Sequence, residues 1–234
     1  MTSKNARFFG WKAFLGNRPY QAALEWQRRM VRYRYNGTLR DTLLYLEHPH
    51  VITVGRDHSH ENLLQTAPSE VHQINRGGGV TYHGPGQLMV YPIFDLGRRG
   101  KDLRHFVSDL EEGIIQVLFS YGLPGARKPG YTGVWVAERK IASVGIAVTQ
   151  WISYHGAAIN LTTDLERFKA INPCGLPPEI MTSTSKELGQ DIGLEEFASR
   201  LSDAYQIIFD TDFEKIELEE LAEIIRAEES TQSL

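Results

Sequence analysis

Apolar residues recur every three or four positions in several segments of the chain, and this spacing predicts amphipathic helices. Pro19 suits the first turn of the earliest helix, and Gly122 marks the end of the longest one. The predicted helices cover residues 19–34, 101–121, 164–170 and 194–209.

Shorter runs rich in β-branched and aromatic residues predict strands. A tight turn at Glu138-Arg139 would join two of them into a hairpin. Because strand side chains alternate between faces, Lys140 is expected on the same face as Ala142 and Val144. The predicted strands cover residues 42–48, 51–55, 71–75, 87–94, 132–138, 140–148 and 153–161. Helices mixed with antiparallel strands predict an α+β or α/β fold around one central sheet.

The chain of 234 residues suits a single domain, 1–234, and its net charge of −4 argues against a nucleic-acid-binding protein. The sequence contains no run of about 20 apolar residues, which is the length that a membrane span requires. The N-terminus is a poor signal peptide. The single cysteine, Cys174, allows no internal disulfide, which favours a cytoplasmic location. The acidic tail over 211–234 is expected to form a short helix or to be partly disordered.

The sequence RGGGVTYHGPGQLMVYP begins at Arg76 and leads from a cluster of glycines into a predicted strand. Glycines let the backbone adopt positive φ and lie directly against a ligand, and Arg76 adds a fixed positive charge. The side chains of Thr81, Tyr82 and His83 are expected beside the same space. The stretch lacks the Gly-Lys-Ser/Thr of a phosphate-binding loop, and it precedes a strand rather than the helix of a dinucleotide-binding motif. A glycine-rich hairpin loop without a ligand is the simpler alternative.

Cys174 lies in the sequence INPCGLPPEI, between a rigid proline and a flexible glycine, so an ordered loop is expected to present its thiol. Lys140 begins an apolar strand, where burial and a nearby thiol would let a proton move between nitrogen and sulfur. Lowering the pKa of a free thiol by about 1.5 units would make the thiolate a major species at neutral pH. Such a pair is suited to accepting and passing on an acyl group. A structural cysteine and a solvent-exposed lysine are the alternatives.

Taken together, four motifs resemble the lipoyl(octanoyl) transferase family: RGGGVTYHGPGQLMVYP, GVWVAERKIASVGIAV, YHGAAINL and INPCGL. Their order and spacing are similar to that family over the segment 20–180. The resemblance implies the fold of the biotin and lipoate ligase superfamily. This is an α+β, two-layer domain with a central mixed, largely antiparallel sheet flanked by helices.

The resemblance also implies a reaction without a metal or a cofactor, in which Cys174 and Lys140 are catalytic. An octanoyl or lipoyl group would pass from acyl carrier protein to Cys174 as a thioester. It would then pass to a lysine on a lipoyl domain of a 2-oxoacid dehydrogenase or on the glycine cleavage H protein. The substrate-binding positions carry over onto Arg76, Gly77, Gly78, Gly79, Val80, Thr81, Tyr82, His83, Ser143, Val144, Gly145, Gly156, Ala157 and Ala158.

Further expectations concern the inside of this pocket. The minimal side chains of Gly145 and of residues 156–158 would leave room for a narrow acyl tunnel. Backbone amides near Gly175 or in the glycine stretch would stabilise the oxyanion of each tetrahedral step. Arg76 is expected to hold the shape of the loop. His83 is expected either to orient the reacting groups or to be a hydrogen-bonded structural residue.

Basic residues concentrate in QRRMVRYRY (27–35) and GRRGKDLR (97–104), and one of these segments is expected to dock the acidic carrier protein. A solvated helix face is the alternative. An ATP-dependent lipoate ligase shares the implied fold but needs no thiol, so Cys174 argues against it. A non-catalytic lipoate-binding protein needs neither Cys174 nor Lys140. A nucleic-acid-binding protein is the least consistent with the charge.

Overall fold

The computed structural model describes residues 8–57, 63 and 70–231, and the side chains of Cys174 and of residues 228–231 lie outside that description. The strands are β1 (Phe8–Asn17), β2 (Asp41–Glu47), β3 (Val51–Val54), β4 (Glu70–Gln73), β5 (Val80–His83), β6 (Gln87–Ile93), β7 (Gly125–Lys128), β8 (Tyr131–Val136), β9 (Arg139–Thr149), β10 (Ile152–Asn160) and β11 (Thr211–Lys215). The helices are α1 (Tyr20–Tyr35), α2 (Leu103–Ser120), α3 (Thr184–Leu188), α4 (Leu194–Ile208) and α5 (Leu218–Thr231). Short 3-10 segments cover Leu96–Arg99, Leu165–Ala170, Pro173–Gly175 and Pro178–Ile180.

The central sheet has the strand order β11-β1-β2-β6-β10-β9-β8-β7. In it, β1 is parallel to β11 and β2, and the other neighbouring pairs are antiparallel. A smaller sheet has the order β4-β3-β5. The α+β class and the central mixed, largely antiparallel sheet flanked by helices are confirmed.

Side chains alternate between the two faces of the central sheet, and each face belongs to a separate core. On β2, Leu43 and Tyr45 belong to the core formed with α2 and α4, whereas Leu44 and Leu46 belong to the core formed with α1 and α5. Helices therefore cover both faces of the sheet, and the described residues form three layers where two were expected.

Four strands of the structure were not predicted. The strand β1 lies inside the central sheet, between β11 and β2, and β5 directly follows the glycines at 77–79. The strands β7 and β11 are short, polar sequences at opposite edges of the central sheet. The hairpin turn lies at Ala137 and Glu138, one residue earlier than predicted, and Ala137 has a φ of 51°. The C-terminal segment contributes β11 and α5, and Leu221 and Ile225 of α5 are buried beneath α1 and the sheet. No helix in the described ranges is long and apolar enough to cross a membrane.

The smaller sheet is held against the rest of the molecule by its own apolar cluster. Ile52 and Val54 of β3 and Tyr82 of β5 pack with Phe168 and Met181 from the segment that follows β10. The same sheet contacts the central sheet through the glycine loop, defined here as residues 76–79. The smaller sheet therefore brings two segments next to β9 and β10. These are the glycine loop on one side and the segment around residues 171–181 on the other.

Candidate active site

A cavity of about 360 Å³ lies where the glycine loop and β5 meet β6, β10 and β9. This volume is typical of small-molecule sites, which range over about 300–1,000 Å³. Lys140 at the start of β9, Tyr20 at the start of α1 and Gly175 all line the cavity. Residues from distant parts of the sequence therefore share one concave space.

Most of the residues that the sequence predicted for the site line this cavity. They are Arg76, Gly78, Gly79, Val80, Thr81, His83, Lys140, Ser143, Val144, Gly145, Gly156, Ala157 and Ala158. Gly77 and Tyr82 do not line it. The Tyr82 ring packs edge-on against Phe168 with its hydroxyl 2.7 Å from His50 Nδ1, and the Gly77 N–H donates to the Ile146 carbonyl at 3.0 Å.

Sequence reasoning missed several residues that line the cavity. They are Tyr20, Asp57, Met89, Tyr91, Gly130, Tyr131, Thr132 and His155. Alternation along β6 could have found Met89 and Tyr91, which are two residues apart and share a face. His155 gives no such signal, because its φ of 58° departs from strand geometry and its N–H donates to Gln27 Oε1 at 2.7 Å.

A β-bulge decides which way Lys140 faces. Val134 pairs with Ala142, but the next residue of β8, Trp135, pairs with Lys140, so Ile141 is an extra residue in β9. Val134, Ile141, Ala142 and Val144 all belong to the core beneath α2 and α4. Lys140 instead pairs with Trp135, which follows Val134 in β8 and so faces the other side of the sheet. The prediction that Lys140 shares a face with Ala142 and Val144 is therefore wrong. Bulges commonly re-aim a side chain in this way beside functional sites.

The Lys140 side chain is buried, with 2% of its surface exposed. Its Nζ lies 5.7 Å from the centroid of the Trp135 ring. A Cβ at Gly133 would lie 2.7 Å from Lys140 Cε, so the lysine stem packs directly over this glycine. The Lys140 carbonyl accepts a hydrogen bond from the Thr182 N–H at 2.9 Å. These contacts hold both the stem and the backbone of Lys140.

The Pro-Cys-Gly sequence forms one short turn beside the same cavity. Gly175 N–H donates to the Asn172 carbonyl at 3.1 Å, and Leu176 N–H donates to the Pro173 carbonyl at 3.0 Å. Gly175 and Lys140 both line the cavity. The side chain of Cys174 lies outside the described residues, so the pairing of its sulfur with the amine of Lys140 stays a prediction.

The glycines of β9 and β10 permit close approach of protein rather than leaving space. A Cβ at Gly145 would lie 2.8 Å from the Gly77 carbonyl oxygen and 3.2 Å from Arg76 Cδ. A Cβ at Gly156 would clash with the Val90 carbonyl oxygen of the neighbouring strand. The expectation that these glycines leave room for an acyl tunnel is wrong at both positions.

Three of the amides expected to form an oxyanion site are already hydrogen-bonded. The N–H groups of Gly77 and Gly175 donate to backbone carbonyls, and the Gly78 N–H donates to Asp57 Oδ2 at 3.0 Å. The expectation that these amides stabilise an oxyanion is therefore wrong for Gly77, Gly78 and Gly175 in this conformation.

Three histidines in and beside the cavity are held neutral. Burial lowers the pKa of His48 to about 4. Burial, followed by the charges of Arg76 and Arg28, lowers the pKa of His155 to about 3. Burial, the His48 ring and Arg76 hold the pKa of His83 well below its usual range. None of these rings carries a proton on both nitrogens at neutral pH.

We predict that stability falls as the pH falls below about 6.5, the usual pKa of histidine in an unfolded chain. In that range the unfolded chain binds protons at His48 and His155 that the folded chain does not bind. Between pH 7 and pH 5 each of these two histidines is expected to remove about 2 kcal/mol of unfolding free energy. Urea unfolding at both pH values measures this loss.

The substitution His48→Gln should reduce the pH-dependent loss by one histidine's share, because the group that titrates is gone. The exposed His105 provides the control, and His105→Gln should leave the loss unchanged. An equal loss in His48→Gln and in the parent protein would contradict the prediction.

Comparison with known proteins shows the family to which the chain belongs. The model of the lipoyl protein ligase A/B catalytic domain matches residues 19–206. The chain is 44% identical over 215 residues to an octanoyltransferase of Caldicellulosiruptor saccharolyticus, covering 88% of this chain and 92% of that protein. It is 42% identical over 196 residues to an octanoyltransferase of Geobacter metallireducens, covering 84% and 92%.

The fold is also that of a solved ligase. A lipoate-protein ligase A bound with ATP superimposes with a TM-score of 0.74 at 17% identity, covering 94% of this chain and 93% of that one. At this identity the likeness shows the fold alone. The family model and the relatives above 40% identity decide the membership: the chain belongs to the lipoyl protein ligase A/B catalytic-domain family.

Proposed function

We propose that this chain carries out octanoyl transfer in protein lipoylation by way of a thioester on Cys174. The activity is supported by relatives named octanoyltransferase that are 39–45% identical over most of the chain. The observation that carries the thioester route is that Gly175, the neighbour of Cys174, lines the same cavity as Lys140. Burying about six methylenes of an octanoyl chain would contribute roughly 5 kcal/mol before ordering costs.

In the first step, the Cys174 thiolate attacks the carbonyl carbon of an octanoyl thioester on the phosphopantetheine arm of acyl carrier protein. The tetrahedral intermediate collapses, the bond to the pantetheine sulfur breaks, and that sulfur leaves as a thiolate and takes up a proton. Lys140 is the proton partner in this step: it accepts the proton of the Cys174 thiol and returns it to the leaving sulfur.

In the second step, the neutral amine of a lipoyl-domain lysine attacks the thioester carbonyl. The carbon–sulfur bond to Cys174 breaks, an amide forms, and the amine nitrogen loses a proton to the Cys174 and Lys140 pair. The acceptors are the lipoyl domains of 2-oxoacid dehydrogenases and the glycine cleavage H protein. The route needs neither ATP nor a cofactor, because the energy of the thioester drives amide formation.

Of the two basic segments, the one in α1 is better placed to dock the carrier protein. Arg34 of the first basic segment and Arg99 of the second are bound inside the molecule to Asp41, at 2.7 and 2.6 Å, and are not surface charges. Arg28 is exposed, and its charge acts on Tyr20 and His155, which both line the cavity. A carrier protein docked at Arg28 would therefore lie next to the cavity.

Cys174 should form the covalent intermediate. We expect intact mass spectrometry to detect one octanoyl adduct after the protein is mixed with octanoyl carrier protein, and hydroxylamine should remove it. The chain has one cysteine, so Cys174→Ala should show no adduct. Transfer that is retained in Cys174→Ala and depends on ATP would contradict the thioester route and support an ATP-dependent ligase.

Lys140 should set the pH at which the Cys174 thiol reacts. The substitution Lys140→Met keeps the apolar stem and removes the amine, and it should raise the midpoint of iodoacetamide alkylation towards about pH 8.5. Octanoyl transfer should fall by about 100-fold or more. Lys128→Ala is the matched control, because Lys128 also contacts the Trp135 ring but does not line the cavity. An unchanged midpoint in Lys140→Met would remove this residue from the proposed role.

Arg28 should matter only for the carrier-bound donor. The substitution Arg28→Glu is expected to slow acylation of Cys174 by octanoyl carrier protein about tenfold, and added salt should diminish the difference. Acylation by octanoyl-pantetheine, which lacks the carrier, should be spared. Arg104→Glu, in the second basic segment, is the control and should leave both rates unchanged. Equal slowing of both donors by Arg28→Glu would rule out docking at α1.

A further inference from the structure

A row of buried hydrogen bonds, called the polar chain below, connects the glycine loop to the segment that holds Lys140. Its members are Arg76, Thr53, His83, Gln87, Asn160 and Thr182. Each of the six lies in a different strand or loop of the fold. All have less than a tenth of their surface exposed.

The contacts along the polar chain are continuous. Arg76 Nη2 lies 2.9 Å from Thr53 Oγ1, which lies 3.1 Å from His83 Nε2. His83 Nδ1 lies 2.7 Å from Gln87 Oε1. Gln87 Nε2 lies 2.8 Å from Asn160 Oδ1. Asn160 Nδ2 then lies 2.9 Å from the Thr182 carbonyl oxygen. Thr53 uses its hydroxyl on both sides, whereas His83, Gln87 and Asn160 use a different polar atom on each side.

The direction of every bond follows from the two ends. The Thr182 carbonyl can only accept, so Asn160 must donate to it through its NH₂ group. Asn160 Oδ1 then accepts from Gln87, whose Oε1 accepts from the protonated Nδ1 of His83. The unprotonated Nε2 of His83 accepts from the Thr53 hydroxyl, and Thr53 accepts from Arg76, which can only donate. The five bonds therefore point the same way and fix one tautomer of His83.

Both ends of the polar chain hold a wall of the cavity. At one end, Arg76 Nη1 donates to the Gly77 carbonyl at 2.9 Å and so fixes the glycine loop. At the other end, the Thr182 N–H donates to the Lys140 carbonyl at 2.9 Å. Aligned hydrogen bonds in a low-dielectric interior strengthen one another, and breaking one leaves buried partners unsatisfied. The separation of the glycine loop from the backbone of Lys140 is thus set by polar contacts as well as by packing.

We propose that the polar chain is a positioning device, in which Thr53, Gln87 and Asn160 hold the glycine loop and Lys140 at the separation that acyl transfer requires. This proposal rests on the proposed function, because octanoyl transfer is the reaction that is measured. In this role His83 links its neighbours as a neutral donor and acceptor and exchanges no proton with the substrate. A displacement of about 1 Å at a reacting group can slow a reaction about 100-fold, so small shifts along the chain matter.

Thr53 gives the sharpest test, because its methyl and hydroxyl groups can be separated by substitution. Thr53→Val keeps the shape and removes the hydroxyl, whereas Thr53→Ser keeps the hydroxyl. We expect Thr53→Val to lower kcat for octanoyl transfer at least about tenfold with KM changed less than about twofold. Thr53→Ser should retain most of the activity of the parent protein. The midpoint of Cys174 alkylation by iodoacetamide should rise in Thr53→Val and not in Thr53→Ser.

Thr42→Val is the matched control for stability. Thr42 is equally buried on β2, and its hydroxyl donates to the Arg40 carbonyl, away from the polar chain. Thr53→Val and Thr42→Val are expected to lose similar thermal stability, so a difference in kcat or in the alkylation midpoint reports positioning. If Thr53→Val changes neither quantity more than Thr42→Val does, the proposal is wrong.

If Thr53→Val does not fold, Asn160→Asp can be used for the same test. Its control is Asn17→Asp, at an exposed position. The aspartate keeps the size of Asn160 but has no donor for the Thr182 carbonyl, so kcat should fall and the alkylation midpoint should rise. Unchanged values would again overturn the proposal. Absence of octanoyl transfer in the parent protein would contradict the proposed function instead, and the alkylation midpoint, which needs no acyl substrate, would still decide on the polar chain.

Discussion

The hydrogen bond from the Gly77 N–H to the Ile146 carbonyl joins the small sheet to the central sheet, and the rest of the site depends on it. It can form because Gly145 has no side chain, which lets the backbone of the glycine loop lie directly on β9. Arg76 is then close enough to β3 to donate to both the carbonyl and the hydroxyl of Thr53, at 3.1 and 2.9 Å. The cavity is the space that remains beside this contact, so the backbone of the glycine loop fixes one of its walls.

Much of this arrangement could be predicted from the sequence, because it follows from local patterns. The long helices α1 and α2 begin and end within two residues of the predicted positions, and the strands β6 and β10 were predicted from their apolar runs. That the glycine stretch and the Pro-Cys-Gly sequence share a pocket with Lys140 was implied by the resemblance to the lipoyl(octanoyl) transferase family, not by local patterns. The structure brings Gly78, Gly175 and Lys140 to one cavity.

What could not be predicted depends on contacts between strands that are distant in sequence. The bulge at Ile141 reverses the face of Lys140, yet the sequence KIASVGIAV alternates without any mark of an extra residue. For the same reason, a glycine in a strand indicates that something approaches closely but not whether it is a ligand or a carbonyl group. At Gly145 it is the carbonyl of Gly77. Tyr20 reaches the cavity only because α1 packs across β10, which no local pattern encodes.

The hydrogen bonds of the buried histidines explain why an amine, and not an imidazole, suits the proton transfer of the proposed reaction. His48 is engaged on both ring nitrogens, by the Arg18 carbonyl and the Tyr91 hydroxyl, each at 2.7 Å. His83 is likewise engaged on both, by Gln87 and Thr53. A ring held on both sides cannot take a proton from a thiol without breaking a buried hydrogen bond, which costs about 1–3 kcal/mol. An ammonium group has three donors and can exchange one proton while it keeps other contacts. His48 and His83 thus hold the frame of the site, and the proposed reaction assigns the proton transfer to the amine of Lys140.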